Sequence, residues 1–79
     1  RMPTVLIVAG FKFAFFSTDR GEPRHIHVVK DRAMAKFWLD PVSLAKSRGF
    51  ADHEINAIER MVVEYRGTFQ KAWDDYFGA

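Results

Sequence analysis

His25-Ile26-His27-Val28-Val29-Lys30 and Ala33-Met34-Ala35-Lys36-Phe37-Trp38-Leu39, separated only by Asp31-Arg32, decide the fold class. Both runs are rich in β-branched and aromatic residues, so residues 25–30 and 33–39 read as strands. A two-residue link leaves no room for a crossover helix, and the pair is therefore antiparallel. Working backwards, residues 19–23 (Asp-Arg-Gly-Glu-Pro) form a turn by composition. Before it lies Phe11-Lys12-Phe13-Ala14-Phe15-Phe16, whose Phe11, Phe13 and Phe15 share one face of a strand. Residues 4–9 are continuously apolar after Thr4, as a central strand would be, and Gly10 permits a bend or bulge between the two.

Working forwards, Asp40-Pro41 changes the grammar. Asp is a good N-cap and Pro suits the first helical turn, so a short helix is expected over 41–48, closed by Gly49. From Asp52 to Phe77 the apolar residues Ile55, Ile58, Val62, Tyr65, Phe69, Ala72 and Tyr76 step alternately by three and four. That spacing lays one stripe along a single long helix, with a slight kink or close packing expected at Gly67. The expected fold is α+β: a four-stranded antiparallel curled meander, then one short and one long helix packed on one sheet face. It makes a single domain over residues 2–79.

Composition narrows the function. The chain has 79 residues, 48% of them hydrophobic and 15% aromatic, which suits one packed core. A core this small makes a partner protein or a homodimer an expectation. Cysteine is absent, which excludes disulfides, thiolate metal sites and cysteine nucleophiles and fits a cytoplasmic location. No apolar run approaches the roughly 18 residues of a membrane span, and the opening run lacks the length of a signal peptide. Arg1 before Met2 reads as a tag or linker remnant.

Net charge is only +2, but it is divided unevenly. Residues 1–50 hold nine Lys/Arg against four acids, and residues 51–79 hold three against six. A basic half of this kind attracts polyanions. On the third strand His25 and His27 project from one face about 7 Å apart, while Ile26 and Val28 point the other way. Parity puts the Phe and Ile26/Val28 faces in the core and leaves Lys12, His25, His27, Lys36 and Trp38 on an open, basic face with an aromatic, suited to phosphates and stacked bases.

Three readings of the histidine pair stand at this point. As acid and base in metal-free RNA cleavage, one imidazole takes the 2′-hydroxyl proton and the other protonates the leaving oxygen, with Arg24 or Lys36 steadying the charged phosphorane. As metal ligands, they need a third group, for which Glu22, Asp19 and His53 are candidates without diagnostic spacing. As surface residues, they bind a partner or simply fit the sheet. No cofactor and no metal are expected on the first reading.

Several segments carry a family likeness. Met2-Pro3-Thr4-Val5, Gly10-Phe11, Pro23-Arg24-His25-Ile26-His27-Val28, Ala35-Lys36-Phe37-Trp38-Leu39, Ser47-Arg48-Gly49-Phe50 and Ala72-Trp73-Asp74-Asp75-Tyr76-Phe77 occur in that order. Together they resemble the bacterial family called domain of unknown function 4160. The resemblance implies the toxin of a toxin–antitoxin module, paired with an antitoxin of domain of unknown function 2442, and maps a His-x-His motif onto His25 and His27. Arg24 stands where the family tends to carry a second proline, and Ala51 where a Ser or Thr helix cap is common. The expected function is therefore a toxin neutralised by a cognate antitoxin protein, with RNA cleavage by the histidine pair. A non-enzymatic module that binds protein or nucleic acid through the open sheet face is the alternative.

Overall fold

Two-residue links make the sheet. The protein is described here by a computed structural model over residues 3–78; Arg1, Met2 and Ala79 lie outside the described residues, and so does the expectation about Arg1. Ala9-Gly10 joins β1 (Thr4–Val8) to β2 (Phe11–Ala14) with φ of 52° and 81°. Asp31-Arg32 joins β3 (His25–Lys30) to β4 (Ala33–Leu39), with Asp31 at φ 54°. Left-handed backbone at these positions gives a hairpin the twist its strands already have, and Asp tolerates it better than most side chains.

Five strands, not four, form the sheet among the described residues. They run in chain order, β1-β2-β3-β4-β5, with every neighbouring pair antiparallel. The helix expected over 41–48 is instead β5 (Val42–Arg48), and Asp40-Pro41 is the link of a third hairpin. The reason is that these residues hold no apolar stripe at helical spacing. An isolated helix of two turns has little to bury and a costly nucleus, whereas pairing satisfies the backbone of β4 that would otherwise form an edge. Gly49 keeps its expected left-handed conformation, at φ 87°, but ends a strand.

The long helix is broken once. α1 (Asp52–Glu64) and α2 (Arg66–Phe77) meet at Tyr65, whose φ and ψ are −99° and 14°. The break falls two residues before Gly67. Arg66 accounts for it, because its Nε donates to the Leu39 carbonyl at 2.6 Å and its guanidinium pairs with Asp40 at 3.0 Å. These contacts tie the start of α2 to the β4–β5 link. The apolar stripe turns with the break: Ile58, Val62 and Phe69 are fully buried as expected, but Trp73 continues the stripe and Tyr76 is 38% exposed.

Both helices cover the face carrying Phe11, Phe13, Phe15, Ile26, Val28, Phe37 and Leu39, as parity predicted. Phe13 stacks on Phe69 with ring centroids 5.1 Å apart, and Phe15 meets Trp73 edge-on at 5.3 Å. Each such ring contributes roughly 1.5–3 kcal/mol by leaving water. No helix among the described residues is long and apolar enough to cross a membrane.

Two glycine substitutions separate strain from propensity. A Cβ at Gly49 would lie 3.1 Å from the Ala33 backbone and sit at positive φ, so Gly49→Ala is expected to lower stability by about 1–3 kcal/mol. At Gly67 a Cβ meets nothing within 4 Å, so Gly67→Ala is expected to raise stability by up to about 1 kcal/mol. Urea unfolding followed by circular dichroism reads both signs.

Candidate functional site: a buried histidine–aspartate cluster

Three strand links are two residues long, but the β2–β3 connection runs over residues 15–24. It folds back across the sheet face opposite the helices. Within it Ser17–Asp19 form a 3-10 turn, closed when the Phe16 N–H donates to Asp19 Oδ2 at 2.8 Å and the Asp19 N–H donates to the Phe16 carbonyl at 2.9 Å. The turn directs the Asp19 carboxylate down onto β3. There His25 Nε2 lies 3.1 Å and His27 Nε2 3.2 Å from Asp19 Oδ2.

His25 and His27 do share a face, with ring centroids 5.0 Å apart, but that face is not open where they stand. His25 is fully buried and His27 and Asp19 are each 5% exposed. This corrects the expectation of accessible imidazoles. Phe16 packs on His27 at 4.3 Å, and Trp38 and Trp73 meet the edge of His25 at 5.6 and 4.8 Å. The long connection supplies the missing cover, which strand parity alone does not reveal.

Hydrogen bonding settles one tautomer. His25 Nδ1 is 2.9 Å from the Pro23 carbonyl, which can only accept, so Nδ1 carries a proton. His25 Nε2 and His27 Nδ1 are buried with no hydrogen-bond partner. Burial pushes the His27 imidazole below its usual pKa near 6.5, and the neighbouring Asp19 charge offsets this only in part. Burial works against ionised Asp19, but the Phe16 N–H and the charges of His25 and His27 outweigh it and hold the carboxylate below its usual value of 3.8. The cluster can hold or move a proton between imidazole and carboxylate. Two nitrogens and an oxygen within 4.8 Å of one another could also ligate a cation.

The other candidates divide. Lys36 and Trp38 sit beside the cluster: Lys36 is the partner of His27 across β3–β4 and Trp38 that of His25. The Lys36 ammonium lies 4.5 Å over the Trp38 ring and 2.6 Å from Glu22, so its charge is already matched. Lys12 shares the face but pairs with Val29, away from the histidines. Arg24 turns to α2, where it binds Asp74 at 2.7 Å, and it shares a cleft with Trp38, Pro41 and Ser43. Across β4, Lys46 and Arg48 face the same way as Lys36 and Met34, and both are exposed. Lys46 is not singled out by the sequence, because it lies in the expected helix, and Arg48 reads there as a helix cap that could also contact phosphate. Among the third-ligand candidates, Asp19 reaches both rings, while Glu22 comes no nearer than 4.0 Å to His25 Nδ1. The length of its connection was the available signal for Asp19.

The family model described as Domain of unknown function (DUF4160) matches residues 10–74, and the chain belongs to that family. The match spans the cluster, the basic strands and most of both helices. No curated protein and no solved structure matches the chain.

The two pKa shifts have the same sign for stability. Folded His27 resists protonation, so acid below about pH 6.5 favours the unfolded chain, and Asp19 adds a further loss below about pH 3.8. In buffer containing a chelator, the urea midpoint is expected to be level above about pH 7 and to fall as the pH drops through 6. His27→Gln should remove the upper part of that fall. A wild-type midpoint that stays constant from neutrality to about pH 5 would contradict a neutral, buried His27.

Proposed function

We propose that this member of the DUF4160 family is the toxin of a bacterial toxin–antitoxin module, held inactive by a cognate antitoxin protein, and that it acts on RNA. The observation that carries the reading is the continuity of one sheet face. At one end lies the Asp19, His25 and His27 cluster; beside it are Trp38 and Lys36, and beyond them the exposed Lys46 and Arg48. Lys36 is matched by Glu22, so the exposed Lys46 and Arg48 are the cations offered, and with a nearby aromatic they suit a phosphate backbone and an unstacked base. Arg24 and Trp38 in their shared cleft extend the same chemistry.

In the ribonuclease form of this proposal, neutral His27 accepts the 2′-hydroxyl proton, and His25, in the imidazolium form that carries a second proton on Nε2, donates that proton to the leaving oxygen. Both rings are covered, so residues 16–22 would have to lift before RNA could reach them. That same cover is the specific observation favouring the second reading, a non-enzymatic module that binds nucleic acid or protein on the exposed part of the face.

Growth and RNA integrity after expression without antitoxin distinguish these readings. The wild type is expected to arrest growth and fragment RNA, and His25→Ala/His27→Ala to do neither. Because that variant alters the interior, Lys46→Glu/Arg48→Glu provides a surface counterpart that should fold normally and lose toxicity. Equal toxicity from both double variants would sink the proposal. Arrest with intact RNA would remove cleavage, and saturable RNA binding that weakens steeply with salt would then support the binding module.

A further inference from the structure

We infer that Asp19, His25 and His27 form a binding site for one divalent first-row transition-metal ion, and that zinc is the ion they fit best. The donor set is the first ground. Two neutral imidazole nitrogens and one carboxylate oxygen are ligands that such ions share, and calcium and magnesium prefer oxygen alone. A tetrahedral ion with bonds of about 2.0–2.1 Å holds its ligand atoms about 3.3 Å apart. Asp19 Oδ2 lies 3.1 Å from His25 Nε2 and 3.2 Å from His27 Nε2, close to that separation, and all three ligand atoms lie within 4.8 Å of one another, so the imidazoles would draw together on binding.

The direction of the lone pairs is the second ground. A shared proton would require His25 Nε2 to aim along the line to Asp19 Oδ2. The contact is short, yet Nε2 makes no hydrogen bond and is buried. His27 Nε2 does reach Asp19, at 3.3 Å from Oδ1, so it is the buried, unpartnered His25 Nε2 whose lone pair is left for a third point. His25 is also already in the required tautomer, because its Nδ1 proton is committed to the Pro23 carbonyl and leaves Nε2 with a lone pair. A backbone carbonyl in that role is the usual outer support of a metal-bound histidine. Asp19 has its own support in the Phe16 N–H.

The third ground is what the ion would do for the fold. Asp19 stands on the longest connection of the sheet and the two histidines stand on β3, so an ion between them fastens that connection across the strand. Small domains often rely on such a staple. Three protein ligands leave a fourth position, which a water molecule takes in such sites. A bound ion would occupy the imidazole nitrogens that the ribonuclease form of the toxin proposal needs free, so the two exclude each other at this site, whereas a toxin that acts by binding stands separately.

The test uses the whole chain without a polyhistidine tag. Chelator-stripped protein loaded with Zn²⁺ and dialysed against metal-free buffer is expected to retain one zinc per chain by elemental analysis and to melt at a higher temperature than before loading. Co²⁺ in place of zinc should give visible absorption bands of a low-coordinate site. Asp19→Asn and His27→Gln should lose both signals, and His53→Gln, altered at an exposed residue of α1, should keep them. No retained zinc and no cobalt bands in the wild type would overturn the site, as would loss of binding in His53→Gln alone. Should the interior variants unfold, histidine ¹⁵N spectra of the wild type decide. Zinc must shift the ring nitrogens of His25 and His27; a shift confined to His53 overturns the inference. None of these readouts involves growth or RNA, so failure here is distinct from failure of the toxin reading.

Discussion

β3 is buried on both faces, and the rest of the molecule is arranged around that constraint. Ile26 and Val28 point into the apolar core, while His25 and His27 point into a polar cluster beneath residues 16–22. A strand of alternating side chains can be covered twice only if two different elements supply the covers. The helices cover one face through Ile58, Val62, Phe69 and Trp73. The β2–β3 connection, joined by Trp73 of α2 at the His25 end, covers the other, which is why it is long where the remaining links are short.

The two covers are of different chemical kinds. Apolar burial against α1 and α2 is favourable without direction, so the Phe-rich face needs only volume and shape. Burial of imidazole and carboxylate is costly unless each polar atom finds a partner. Most do: Asp19 accepts from Phe16, and His25 donates to Pro23. Two ring nitrogens do not. Apolar residues of the same size would carry no such cost, so packing alone does not account for the two unmatched atoms.

The same sheet face changes character along its width. Under the connection it is closed, aromatic and centred on Asp19; beyond Lys36 it is open and carries Lys46 and Arg48 on β5. Turning residues 42–48 from helix to strand changes the surface as well as the topology. It extends the basic face by one strand and brings these two cations into line with Lys36 and Met34.

Residue alternation was enough to recognise an antiparallel α+β fold, the core face of β2 and β3, and the shared side of His25, His27, Lys36 and Trp38. Alternation is local: in a strand it follows from the backbone, whatever surrounds it. The same holds for the stripe from Ile55 to Phe69, which the helical period dictates. The fifth strand, the break at Tyr65 and the closed state of the histidine face could not be read in that way. Asp40-Pro41 suits a helix start and a hairpin link equally, and only the unpaired edge of β4 selects the hairpin. Tyr65 breaks the helix because Arg66 finds the Leu39 carbonyl and Asp40, partners remote in the chain. Asp19 reaches both imidazoles because the connection folds back over β3, a long-range contact that no spacing along the chain encodes.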